Sequence, residues 1–256
     1  MPYLPVETSN LIFELKNVTH QFGTLAAVRA VNLHVRAGER VALVGPSGAG
    51  KSTLINLLNG TLSPTQGEVW VLGQNLAKLS PRGLQQVQRQ IGTVYQRYHL
   101  VDNLRVIHNV NAGHLGRWSF LKGVVSLVWP LEVETAAAAL TQVGIPEKIY
   151  ERTDRLSGGQ QQRIAIARVL VQQPQAILAD EPVASLDPER SREIMRLLGD
   201  VTQAGGKTLV VSLHDIDLAR SHCERIVGLR EGQILFDLPT DEVDETLIRA
   251  LYKITI

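Results

Sequence analysis

Gly45-Pro46-Ser47-Gly48-Ala49-Gly50-Lys51-Ser52-Thr53 sets glycines, a lysine and three hydroxyls at the spacing of a P-loop, Gly-x4-Gly-Lys-Ser. Glycines let the backbone curl so that successive N–H groups point inward at a phosphate chain. Lys51 would reach the β- and γ-phosphates, and the Ser52 hydroxyl would ligate Mg²⁺. The loop needs a strand before it and a helix after it. Arg40-Val41-Ala42-Leu43-Val44 reads as a buried strand, and Leu54 to Asn59 continues as a helix whose positive N-terminal end adds to the anion site.

Two further stretches could do chemistry beside bound phosphate. Ala176-Ile177-Leu178-Ala179-Asp180-Glu181 reads as a buried strand ending in paired carboxylates. Asp180 at that tip would hold Mg²⁺, directly or through water, and Glu181 could take a proton from attacking water. Leu156-Ser157-Gly158-Gly159-Gln160 offers a second anion-ready helix start. Ser157 is a good N-cap, and the glycines leave backbone N–H groups open.

The remaining elements must position these groups. Residues 11–18 and 31–35 mix apolar and polar positions, as in a half-exposed antiparallel layer. Gly67 to Leu72 adds a strand, Pro81 to Gln90 a helix and Ile91 to Tyr95 another strand. From Gln96 to Leu156 the pattern is helical, with helices expected over Asn103–Ala112 and Leu131–Val143. After Gly158 a long helix runs to Val171. Strand and helix then alternate: 176–179, 189–203, 208–212, 215–223 and 225–229, followed by a hairpin strand at 233–236 and a closing helix at 241–251. Such alternation predicts a parallel sheet with helices on its faces. The fold class is therefore α/β: a P-loop NTPase with a parallel core sheet, an antiparallel β layer and an inserted α-helical subdomain. One domain over 11–256 is expected, with an α/β body of 11–96 and 157–256 and a helical insert of 97–156.

Composition sets outer bounds. The 256 residues are 44% apolar and 20% charged, ordinary for a globular protein. A net charge of +1 gives no electrostatic reason to expect nucleic acid. No run of eighteen apolar residues is present, so the chain is not expected to span a membrane, and Met1 to Asn10 lacks the signature of a signal peptide. Cys223, the single cysteine, excludes an internal disulfide and is expected to pack in a core.

The ordered set of motifs resembles the nucleotide-binding subunit of ABC transporters over nearly the whole chain. Gly45–Thr53 matches the Walker A loop, Leu156–Gln160 the signature motif and Ile177–Glu181 the Walker B strand. Ser185-Leu186-Asp187 matches the D-loop, Gln96 the Q-loop glutamine and His214 the switch histidine. The resemblance implies a head-to-tail dimer hydrolysing two ATP, each nucleotide lying between the P-loop of one copy and Ser157–Gln160 of the other. It implies that Glu181 is the general base, that His214 contacts the γ-phosphate, and that Gln96 reaches the Mg²⁺ and water. Asp187 joins the nucleotide-contacting set. Phe22 stands where the family commonly stacks an aromatic on adenine, with Val28 expected to line the same side of the base. Phe13, the competing aromatic, falls inside a strand.

The stretch after Gln96 narrows the cargo. Gln96 to Leu104, Gly113 to Trp118 and the apolar segment Trp118–Trp129 resemble the ATP-binding subunit of phosphonate and phosphite importers. The apolar segment is read either as simple helix packing or as part of a groove receiving a membrane partner. The implied partners are a second copy, transmembrane permease subunits and, indirectly, a solute-binding protein, at the cytoplasmic face of the inner membrane. An importer for an amino acid or metal, or a soluble ATPase of this type, are the alternatives.

Overall fold

The computed structural model describes residues 10–252. Residues 253–256, the end of the expected domain, and the stretch 1–9 inspected for a signal lie outside the described residues. In chain order the strands are β1 (Leu11–Phe22), β2 (Leu25–Arg36), β3 (Arg40–Val44), β4 (Gln66–Val71), β5 (Gln74–Asn75), β6 (Ile91–Val94), β7 (Ala176–Asp180), β8 (Thr208–Leu213), β9 (Arg225–Arg230) and β10 (Gln233–Pro239). The helices are α1 (Lys51–Leu58), α2 (Pro81–Gln88), α3 (Val106–Asn111), α4 (Phe120–Val128), α5 (Val133–Gln142), α6 (Gly158–Gln172), α7 (Pro188–Ala204), α8 (Ile216–His222) and α9 (Glu245–Tyr252).

Two sheets form. A four-stranded antiparallel sheet runs β2-β1-β4-β5, and a six-stranded sheet runs β10-β9-β3-β8-β7-β6. Within the second sheet β9, β3, β8, β7 and β6 are parallel, and β10 closes the edge antiparallel to β9. Burial on both faces explains why β3, β7 and most of β8 read as continuous apolar runs. Along β3, Ala42 and Val44 enter one core with the helices of the 97–172 region, whereas Val41 and Leu43 enter a second core with β1, β2 and α1. The period of two alternates the side chains between faces, and here both faces are covered.

β1 and β2 are longer than the expected strands at 11–18 and 31–35. They continue to a tight hairpin at Phe22–Leu25, through register shifts between Leu15 and Val18 and again before Gln21. Asn17 and Ala30 adopt positive φ near these irregularities, which breaks the sequence alternation without ending the pairing.

Helices fill the stretch between β6 and β7, and the only bridge among the described residues there is Arg105 with Arg152. The helical layer continues past Leu156, because α6 packs on both α3 and α5. The expected helix at 241–251 is shorter: a 3₁₀ turn at Thr240–Glu242 precedes α9. Cys223 is buried and its thiol is pushed up to about 12 by that burial. Among the described residues no helix is long and apolar enough to cross a membrane.

α4 is turned outward. Phe120, Leu121, Val124, Val125 and Val128 fall on one stripe and are exposed, Phe120 at 89% and the adjoining Trp129 at 70%. Its small, polar side faces inward instead. Ser126 is buried, its Oγ donates to the Gly123 carbonyl at 2.7 Å, and its own carbonyl meets His108 Nδ1 at 2.9 Å. The apolar segment therefore forms a convex face. A groove of about 430 Å³ is lined by other residues, among them Arg89, Tyr95, His99, Gly113 and Arg168.

Candidate active site

The C-terminal ends of β3, β8, β7 and β6 lie side by side, and the register aligns the residues just beyond each strand. Val44 pairs with Leu213, Asp180 with Ser212, and Val94 with Ala179. Gly45, His214, Glu181 and Gln96 therefore emerge along one edge, where ligands bind in open parallel sheets.

After β3 the chain enters the glycine loop. Gly45 (φ 149), Gly48 (φ 76) and Gly50 (φ 104) all adopt positive φ. A Cβ on Gly45 would sit 2.1 Å from the Leu229 carbonyl oxygen, and one on Gly50 2.5 Å from that of Ala27. At Gly48 a Cβ would meet nothing within 4 Å, so that glycine faces open space inside the loop. α1 begins at Gly50 with no side-chain cap, which leaves its first-turn amides available to an anion.

Lys51 is 4% exposed, and its Nζ donates to the carbonyls of Gly45 (2.8 Å) and Pro46 (3.1 Å). Burial lowers its pKa, and Glu181 and Asp180 oppose that drop. Its ammonium lies 3.8 Å from Glu181 Oε1. The same Oε1 sits 2.6 Å from His214 Nε2. Glu181 itself has φ 46, a left-handed conformation costing roughly 1–2 kcal/mol for a residue with a Cβ. That turn directly follows β7 and places the carboxylate between the lysine and the histidine.

Ser52 Oγ donates to Asp180 Oδ1 at 2.9 Å. Among the described residues no cluster of three or more His, Cys, Asp or Glu forms a metal cage. One hydroxyl and one carboxylate side by side are hard oxygen donors suited to Mg²⁺, which takes the rest of its shell from phosphate and water. The open face at Gly48 and the uncapped α1 likewise fit a phosphate chain.

Sequence reasoning missed Ser212. Its buried Oγ donates to Asp180 Oδ1 (2.8 Å) and accepts from the Glu181 backbone N–H (2.8 Å), fixing both carboxyl residues at once. A serine inside the apolar stretch Leu209–Leu213 was the available signal, since a buried hydroxyl requires partners.

Gln96 is exposed and opens the turn after β6. Two residues on, Tyr98 (φ 57) and His99 (φ 47) both take positive φ, and the Arg168 guanidinium on α6 donates to their carbonyls at 2.7 and 2.6 Å. Ser157 and Gln160 close a capping box at the start of α6, with Gln160 Oε1 accepting from Ser157 N–H at 3.0 Å. The neighbours of Ser157, Gly159 and Gln160 are Arg163, Arg190 and Glu193 around a cavity of about 130 Å³, and Gly158 lies by the Tyr98 hydroxyl. They keep company apart from Lys51 and Glu181. Asp187 caps α7 by accepting from Arg190 N–H at 3.0 Å, a bond that holds its carboxyl below the ordinary range.

Phe22 ends β1, 51% exposed, edge-on to His20 at 4.6 Å. Phe13 is fully buried in the core. Val28 also has no exposed surface, and its Cγ2 packs under Gly50. Such a side chain supports the loop from beneath and presents no surface to a base. Pro46, Ser47, Ala49 and Thr53 complete the loop and the first turn of α1.

A family model described as ABC transporter matches residues 28–184, from within β2 to just beyond β7 and Glu181. The chain belongs to the ABC transporter family. It is 42% identical over 244 residues to the phosphonates import ATP-binding protein PhnC of Pseudomonas putida, covering 95% of this chain and 91% of that protein. It is 49% identical over 239 residues to PhnC of Anaeromyxobacter dehalogenans, covering 93% of this chain and 48% of that longer protein. Among solved structures, a dimeric post-hydrolysis state of an ATP-binding cassette bound to ADP and Pi superposes with a TM-score of 0.75 at 34% identity, covering 89% of this chain and 98% of the cassette. The α/β fold with its antiparallel layer and helical region is thus that of an ABC transporter ATPase.

Proposed function

We propose that this chain is the ATP-hydrolysing subunit of an importer whose cargo is a phosphonate or phosphite. The observation that carries the hydrolytic reading is the Glu181 carboxylate, held between the Lys51 ammonium at 3.8 Å and His214 Nε2 at 2.6 Å. The cargo reading rests on the phosphonate-import names of relatives that match this chain nearly end to end.

In this reading Gly45–Thr53 cradle the phosphates, Lys51 exchanges its loop carbonyls for phosphate oxygens, and Phe22 stacks on the base. Ser52 and Asp180, joined by Gln96, would hold Mg²⁺, which neutralises charge on the β- and γ-phosphates. Glu181 accepts the proton of the attacking water as its oxygen bonds to the γ-phosphorus and the bond to ADP breaks. His214 steadies that carboxylate and contacts the γ-phosphate. The cradle supplies donors on one side only. Ser157–Gln160 and Asp187 of a second copy close the other side, head to tail; a related cassette forms a dimer.

Residues 97–156 act as the arm that moves against the body of 11–96 and 157–256 when γ-phosphate contacts at Gln96 are lost. The outward face of α4 receives the permease, which holds the subunit at the cytoplasmic face of the inner membrane. A solute-binding protein delivers cargo from the far side. The test is uptake by the reconstituted transporter with its own permease and binding protein. ATP-dependent accumulation of phosphonate or phosphite is expected. Uptake of an amino acid or metal ion instead overturns the cargo assignment and leaves the hydrolytic one standing.

A further inference from the structure

α9 is held close to the hydrolytic edge by packing that the P-loop scheme does not use. Leu251 is fully buried, the Ala250 carbonyl accepts from Arg230 at 2.5 Å, and the helix lies against β9, the strand whose Leu229 crowds Gly45. Its last described residue, Tyr252, donates its hydroxyl to the backbone carbonyl of His214 at 3.0 Å. His214 lies in the short bend between β8 and α8, outside both regular elements. Its main chain thus lacks the ladder restraint that fixes Ser212, while its imidazole must stay 2.6 Å from Glu181 Oε1. Burial raises the pKa of the Tyr252 hydroxyl, which keeps the proton that it donates to His214.

We infer that Tyr252 is a positioning residue of the hydrolysis site, whose hydroxyl anchors the main chain of His214 and thereby the imidazole against Glu181. The inference rests on the hydrolytic reading above. It adds the C-terminal helix to the machinery: a displacement of α9 would slacken the bend that carries His214.

The test is a double-mutant cycle on the full chain assembled in its transporter. Tyr252→Phe keeps the ring and removes the anchoring hydroxyl. It should lower kcat about three- to tenfold, the range for one lost hydrogen bond, with KM for ATP and thermal midpoint unchanged. In a His214→Ala background the same substitution should change kcat no further. A Tyr252→Phe enzyme with unaltered kcat, beside a crippled His214→Ala, overturns the inference alone. Equal losses in both backgrounds also overturn it, since they would mean that Tyr252 does not act through His214. Full activity of His214→Ala would remove the role of His214 itself, and the inference with it.

Discussion

Glu181 and His214 meet at 2.6 Å through side chains that leave two adjacent parallel strands, and Ser212 ties the backbone of the first to the strand of the second. The carboxylate is thereby held without blocking the glycine loop. Removing its basicity while keeping its shape isolates the proton-accepting role.

Glu181→Gln is expected to bind ATP as the parent does and to hydrolyse it on the order of 10²–10⁴-fold more slowly. Nucleotide titration beside single-turnover phosphate release checks this. Turnover at the parental rate would assign the base elsewhere.

Ser157→Arg places bulk and charge at the α6 start, away from the lysine and carboxylates of its own chain. One copy should still bind nucleotide, while ATP-dependent dimerisation is lost. Light scattering with and without ATP reads this directly, and a dimer that persists would mean that Ser157 does not face the second copy.

Gly45 and Gly48 should fail differently when changed to alanine. At Gly45 the new methyl would strike the Leu229 carbonyl, whose oxygen is 2.1 Å from the Cβ position, so the fold itself should lose about 2–4 kcal/mol. At Gly48 the methyl enters open space at φ 76, costing roughly 1–2 kcal/mol in stability and narrowing the cradle. Thermal melts should single out the first and nucleotide affinity the second.

Lys51 titrates below its ordinary 10.5 because it is buried. Its charged form is disfavoured in the free fold, so this group adds stability as pH rises toward 10.5. A bound triphosphate favours the ammonium and raises that pKa again. Between the free and bound values, binding must take up a proton, and affinity must weaken as pH increases. Calorimetry in buffers of different ionisation enthalpy measures the proton count, and zero uptake throughout the alkaline range would contradict it.

Much of this site was legible in the sequence because its parts sit at strand ends. Val41 to Val44 and Ala176 to Ala179 are buried on both faces and read as unbroken apolar runs, so the residues after them could be placed. Less regular stretches hid more. The bulged β1 and β2 looked like shorter strands, since positive φ at Asn17 and Ala30 breaks the period of two. Val28 could not be recognised as a prop under Gly50, because sidedness in a shifted register is invisible without the partner strand. Tyr252 could not be found at all: it joins His214 from the far end of the chain, and no local pattern marks that meeting.

α4 carries a consequence for the life of the subunit before assembly. Phe120, Val128 and Trp129 stand in water while Ser126 occupies the interior, the reverse of what a free-standing protein needs. A molecule whose α4 is left uncovered therefore bears an adhesive ridge, prone to non-specific clustering and to capture by chaperones. If the permease receives α4 as proposed, production in step with it covers that ridge early, and an orphaned surplus should be short-lived in the cell.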